Sequence, residues 1–158
     1  MPLHDFTDFL KLSSVLNYNL SAASLNRYNV MMYIIGGKSL HPDPAADRES
    51  KGLLMEALGY LFRAYHQKRR RLGPLAVLHP LRATALLSRS ISQINLVNLM
   101  STLFHDILED IKPRDFDVNT WKDMEEQLYS LLDRLPAKSE ARLTANLVSL
   151  TRVKTESY

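Results

Sequence analysis

Asn95-Leu96-Val97-Asn98-Leu99-Met100-Ser101-Thr102-Leu103-Phe104-His105-Asp106-Ile107-Leu108-Glu109-Asp110 decides the fold class. Its apolar residues Leu96, Leu99, Met100, Leu103, Phe104 and Ile107 recur at offsets of 3, 4, 7, 8 and 11. That is the spacing of one helical face, not the alternation of a strand. A stripe of this width packs into a core, so the spacing predicts one continuous helix over Asn95 to Asp110, ended by Pro113.

Helical periodicity extends outward in both directions, and no alternating run long enough for a sheet stands out, so the chain is predicted to be all-α. On the N-terminal side lies a helix from about Leu75 to Ser90, or from near His79, because Pro80 in a first turn loses no hydrogen bond. Before it, Leu53 to Gln67 is apolar at Leu53, Leu54, Ala57, Leu58, Leu61, Phe62 and Tyr65. A basic loop from Lys68 to Pro74, turned by Gly73-Pro74, joins the two. Gly36 to Asp47, with Pro42 and Pro44, reads as a linker. Upstream of it, Leu3 to Val15 and Leu20 to Ile35 form a predicted helical pair, the second stopped by Gly36-Gly37. Phe116 to Leu135 and Ser139 to Val153 are predicted to complete the set. The expected division is an N-terminal extension over 1–47 and a main domain over 48–158.

A chain of 158 residues fits one domain that buries enough surface to fold without staples. With 46% hydrophobic and 23% charged residues the composition is globular. The lack of cysteine excludes disulfides and thiolate ligands and fits a reducing compartment. Met1-Pro2-Leu3-His4-Asp5 has no signal-peptide character, and no apolar run approaches the ~20 residues that span a bilayer. A cytoplasmic protein with no membrane partner is expected. The formal net charge of +3 is too small to argue for nucleic acid, although Lys68-Arg69-Arg70-Arg71 concentrates positive charge that attracts phosphate.

Any metal site must use histidine and carboxylate. His105, Asp106, Glu109 and Asp110 fall on consecutive turns of the predicted helix, and His79 stands at a helix entrance. Neighbouring helical residues diverge by about 100°, so His105 and Asp106 reach one ion from adjacent faces while Glu109 and Asp110 lie a turn further on. Three carboxylates at a helix C-terminus oppose the dipole and call for a compensating positive charge. Nitrogen and carboxylate donors suit manganese, iron, zinc, cobalt or nickel better than calcium. Three protein ligands leave positions for water and a phosphate oxygen, which is the arrangement of metal-assisted phosphate-ester hydrolysis, with Glu109 and Asp110 placed to handle the water's proton. Singly, each residue has a plainer reading. A lone histidine on an apolar helix is usually structural, an acidic pair at a helix end is usually solvated, and Lys68 to Arg71 alone reads as a solvated turn. His4, His41 and His66 carry no expected role.

Arg70-Arg71-Leu72-Gly73, His79-Pro80 and Leu103-Phe104-His105-Asp106-Ile107-Leu108-Glu109-Asp110 together resemble the HD-domain metal-dependent phosphohydrolases. The chain is most similar among them to the RelA/SpoT-type alarmone hydrolases, which remove pyrophosphate from the 3′ position of (p)ppGpp and carry an R-x-x-G-x-P-Y-x-x-H-P segment and an HDxxED helix. The resemblance covers roughly Leu53 to Lys154. It implies an HD-type helical bundle, with His79, His105 and Asp106 as ligands of a metal that is usually manganese, and with Glu109 and Asp110 assisting the hydrolytic water. It also implies Arg70 against a guanine base and Arg71 near phosphate, a role for which a guanidinium plane is suited. A nucleotide or phosphorylated small molecule is then the expected partner, and a homo-oligomer is left open.

The chain departs from the family at Leu75-Ala76, where the family has Pro-Tyr, and at Tyr65 and Lys68, where its substrate loop has histidine and glutamine. The family's fourth ligand is an aspartate in a later helix. Asp117, Asp123 and Asp133 read instead as loop or surface positions, and Thr155-Glu156-Ser157-Tyr158 reads as a cut through a continuing helix. A truncated enzyme, a shortened inactive relative and a site completed by another chain are the three explanations, with truncation favoured. The expected function is hydrolysis of a nucleotide phosphate or pyrophosphate. The alternative is a catalytically inactive HD-fold nucleotide-binding or regulatory module.

Overall fold

The computed structural model describes residues 23–66 and 76–135. Among the described residues the chain is helical and no strand occurs. The predicted helices over Leu3 to Val15 and Ser139 to Val153, and the basic loop with Arg70 and Arg71, lie outside the described residues.

Helix α1 (Ala23–Ile35) stops where the glycines predict. Gly36 adopts φ 59 and donates to the Met32 carbonyl at 2.8 Å, the left-handed C-terminal cap that a residue lacking Cβ takes without strain. Helix α2 (Pro44–Ala64) begins well before the expected Leu53 and takes in the last four residues of the predicted linker, from Pro44 to Asp47. Pro44 occupies the first turn, where its missing N–H costs nothing, and the Asp43 side chain accepts from the Ala46 amide at 3.0 Å. Asp47 then accepts from the Leu40 amide at 2.6 Å and pairs with Lys51 at 3.0 Å, which ties the loop to the first turn. The helix therefore runs straight across residue 47.

Helix α3 (Leu78–Ser90) starts beside His79, as the proline predicts. Lys38 donates to the carbonyls of Ser88 and Ile91, the latter at 3.0 Å, and so satisfies the end of α3 from the loop after α1. Helix α4 (Leu96–Leu103) is capped by Asn95, whose side chain accepts from the Asn98 amide at 2.9 Å. The single helix expected over Asn95 to Asp110 is broken: α4 ends at Leu103, and a separate turn, α5 (Ile107–Asp110), follows. A 3-10 turn over Pro113–Asp115 leads into α6 (Val118–Asp133).

The amphipathic faces meet in one cluster. Val30 and Ile34 of α1, Leu54, Leu58 and Leu61 of α2, Leu81 of α3, Leu99, Met100 and Leu103 of α4, and Met124 and Leu131 of α6 are all buried in it. Each buried leucine of this kind contributes roughly 1.5–3 kcal/mol. Helix α1 packs on α2 and α3, α2 on α4 and α6, and α3 on α4. The α3–α4 contact brings the entrance of α3 to the end of α4, where the histidines lie.

Candidate metal centre

The break after Leu103 is made by hydrogen bonds. In a continuing helix the Thr102 carbonyl accepts from the amide of Asp106. Here it accepts from His105 twice, from the amide at 3.3 Å and from ring Nδ1 at 2.6 Å. The Ser101 and Thr102 hydroxyls bond back to the Val97 and Asn98 carbonyls at 2.8 and 3.1 Å, a pattern that bends helices. Phe104 is buried and meets Tyr60 edge to face at 6.0 Å, which anchors the turn in the core. Ile107 then donates to Phe104, and Glu109 and Asp110 both donate to the Asp106 carbonyl.

This turn corrects two expectations. His105 and Asp106 do not converge as neighbours on a helix; the non-helical turn aims both toward His79. Nor do three carboxylates crowd a helix C-terminus. Asp106 is the N-cap of α5, and Glu109 and Asp110 lie in its only turn, so the dipole supplies no argument for a cation. The side-chain geometry supplies one instead.

His79 Nε2 lies 3.2 Å from His105 Nε2 and 3.3 Å from an Asp106 carboxylate oxygen, and His105 Nε2 lies 2.9 Å from that same oxygen. A carbonyl only accepts, so His105 Nδ1 carries the proton it donates to Thr102. With that proton on Nδ1, Nε2 is left to face the Asp106 carboxylate. Two acceptors 2.9 Å apart need a cation between them, a proton or a metal ion. Asp106 is only 6% exposed, whereas the His79 side chain is 44% exposed, so the group is closed from below and open on the His79 side. An ion about 2.1 Å from each of three donors in an octahedral or tetrahedral shell holds neighbouring donors about 3.0 to 3.4 Å apart. The triangle has those dimensions. His79, His105 and Asp106 therefore form a group that can hold a metal ion, and among the described residues no other three such side chains gather so closely. The Thr102 carbonyl fixes the ring of His105 as second-sphere partners of metal-bound histidines do.

Glu109 and Asp110 stand outside this triangle. Glu109 is exposed, while Asp110 accepts a 2.8 Å hydrogen bond from the hydroxyl of Tyr65, a buried residue at the end of α2. By periodicity alone Tyr65 belongs to the apolar stripe of α2. The available signal was that a buried phenol needs a polar partner. Of the other histidines, His41 Nδ1 accepts from the Asp43 amide at 3.0 Å, His66 is exposed, and His4 lies outside the described residues. Asp117 is taken up in capping α6, through the Thr120 amide at 2.8 Å, and Asp123 is an exposed partner of Arg63 at 3.9 Å. Both match their expected loop and surface positions.

No protein-family model, curated protein or solved structure matches the chain. No helix among the described residues is long and apolar enough to cross a membrane.

Proposed function

We propose that the chain is a metal-dependent phosphohydrolase acting on a nucleotide phosphate or pyrophosphate, with the 3′-pyrophosphate of (p)ppGpp as the leading substrate. The observation that carries this reading is the triangle of two imidazole nitrogens and one carboxylate oxygen with sides of 2.9, 3.2 and 3.3 Å. The HD-type pattern of His79-Pro80 and His105 to Asp110 supports it. In this reading His79, His105 and Asp106 hold a divalent cation, manganese before iron, zinc, cobalt or nickel. Such a cation supplies Lewis acidity, screening phosphate charge and making water nucleophilic near neutral pH.

Glu109 and Asp110 are assigned to the water. As its oxygen bonds to phosphorus, a carboxylate accepts its proton, and the bond from phosphorus to the nucleoside 3′ oxygen breaks with the electron pair leaving on that oxygen. Arg70 and Arg71 are assigned to the base and the phosphates, as the family resemblance implies, and we place the protein in the cytoplasm.

The test is the metal content of the purified chain, together with manganese-dependent hydrolysis of ppGpp and a panel of nucleotides. Stoichiometric metal with release of pyrophosphate is expected. Metal without turnover of any nucleotide overturns the enzyme and leaves the inactive HD-fold binding module. Absence of metal binding removes the site itself.

A further inference from the structure

We infer that Tyr65 is a positioning residue for Asp110, an inference that rests on the phosphohydrolase reading for its catalytic consequence but not for its geometry. Three observations carry it. Tyr65 is 3% exposed, so its ring is fixed by the core and its hydroxyl has a defined direction. That hydroxyl donates to Asp110 Oδ2 at 2.8 Å across 45 residues of sequence, a contact to an ionised acceptor of the stronger kind. Asp110 belongs to a helix of only four residues, which directly follows the ligand Asp106 and holds itself through the Asp106 and Ile107 carbonyls. A single helical turn has little rigidity of its own. An anchor from α2 therefore supplies what α5 lacks. It fixes the carboxylate's rotamer relative to the histidine triangle. Preorganised side chains of this sort work through their supports, and losing a support typically costs about 10- to 100-fold.

The experiment uses the full chain with Tyr65→Phe, Tyr65→His and Asp110→Asn. Manganese affinity is read by calorimetry, turnover on ppGpp by steady-state kinetics, and the Asp110 carboxylate by NMR of protein labelled with carboxyl-¹³C aspartate, its resonance assigned from Asp110→Asn. In Tyr65→Phe, manganese affinity and KM are expected within about twofold of the parent and kcat about 10- to 100-fold lower, with the Asp110 resonance displaced or broadened. Tyr65→His keeps a donor and is expected to recover part of kcat. It also serves as the test variant should the phenylalanine protein not fold, a displaced Asp110 resonance again being the expected result. Adding Tyr65→Phe to Asp110→Asn is expected to lower kcat little further, because both act through one carboxylate. An unchanged Asp110 resonance, or a parental kcat in folded Tyr65→Phe, overturns the inference. A parent that binds manganese but hydrolyses nothing defeats the phosphohydrolase reading alone; the carboxylate resonance then still decides whether Tyr65 orients Asp110.

Discussion

Helices α2, α4 and α6 begin in one way and α5 in another. Asp43, Asn95 and Asp117 precede their helices in extended backbone, with ψ of 125, 165 and 160, and each side chain accepts from an amide three residues on. This is the local solution to unsatisfied amides, and it needs nothing from the rest of the fold. Asp106 holds the same position before α5, yet its backbone is in the helical region, φ −103 and ψ 0, and its side chain makes no cap bond. It turns instead to two histidines, one of them 27 positions away across the α3–α4 contact. An aspartate that leaves its own helix uncapped and faces two imidazoles gives up a local bond for a group able to hold a cation. Departures of this kind gather at functional sites.

Replacing Asp106 should break the comparison most visibly. Asp106→Asn removes the anionic donor, so manganese affinity is expected to fall by more than about 100-fold, beyond what outer-sphere changes cost. The new amide can donate to His105 Nε2, so the metal-free protein is expected to keep its stability within about 0.5 kcal/mol. Calorimetric titration and metal-free melting check the two halves. Parental manganese affinity in the variant would remove Asp106 from the site.

The contrast also explains what was legible. Local chemistry was: the stripe of α4, the glycine stop after α1, and the entrance of α3 beside Pro80 all followed from residues within a turn or two. His79, His105 and Asp106 were legible as a set because they pair an imidazole at a helix start with a His-Asp step, and the packing of α3 on α4 brings them together. Pro42 and Pro44 misled because a proline ends one segment and begins another equally well, and Asp43 as an N-cap was the overlooked cue. The break at Phe104 was hidden for a different reason. It depends on the competition for the Thr102 carbonyl and on the seat of Phe104 against Tyr60, and neither is periodic. The bond from Tyr65 to Asp110 joins two helices that only the folded chain makes neighbours.

Asn95 offers the converse variant at the opposite end of α4. Asn95→Ala loses the bond to the Asn98 amide and is expected to cost about 1 kcal/mol in urea denaturation. Manganese affinity of the folded fraction should not change, because the Thr102–His105 turn begins only seven positions after the cap residue, at the far end of the helix. A large loss of affinity in Asn95→Ala would mean that the two ends of α4 are not independent, and that the ligand turn draws its geometry from the cap as well as from the core.

The smallest expected effect is on acid stability, and its sign follows from the ordinary caps. The Thr120 amide and hydroxyl hold the Asp117 carboxyl below the usual aspartate value of 3.8, and the Leu40 amide, with Lys51, does the same for Asp47. A carboxylate whose folded value is depressed stabilises the fold fully above the unfolded value, and that contribution is lost as pH falls through the folded one. Melting temperature should therefore be level in this respect above about pH 4 and decline below it. Asp117→Asn retains an oxygen for the Thr120 amide but has no charge to lose, so its melting curve should decline less steeply in that acid window while the two proteins stay close at neutral pH. Because both groups lie at the surface, the difference is modest and salt should shrink it. An equal acid slope in the two proteins would mean that the Asp117 cap works through its hydrogen bonds alone.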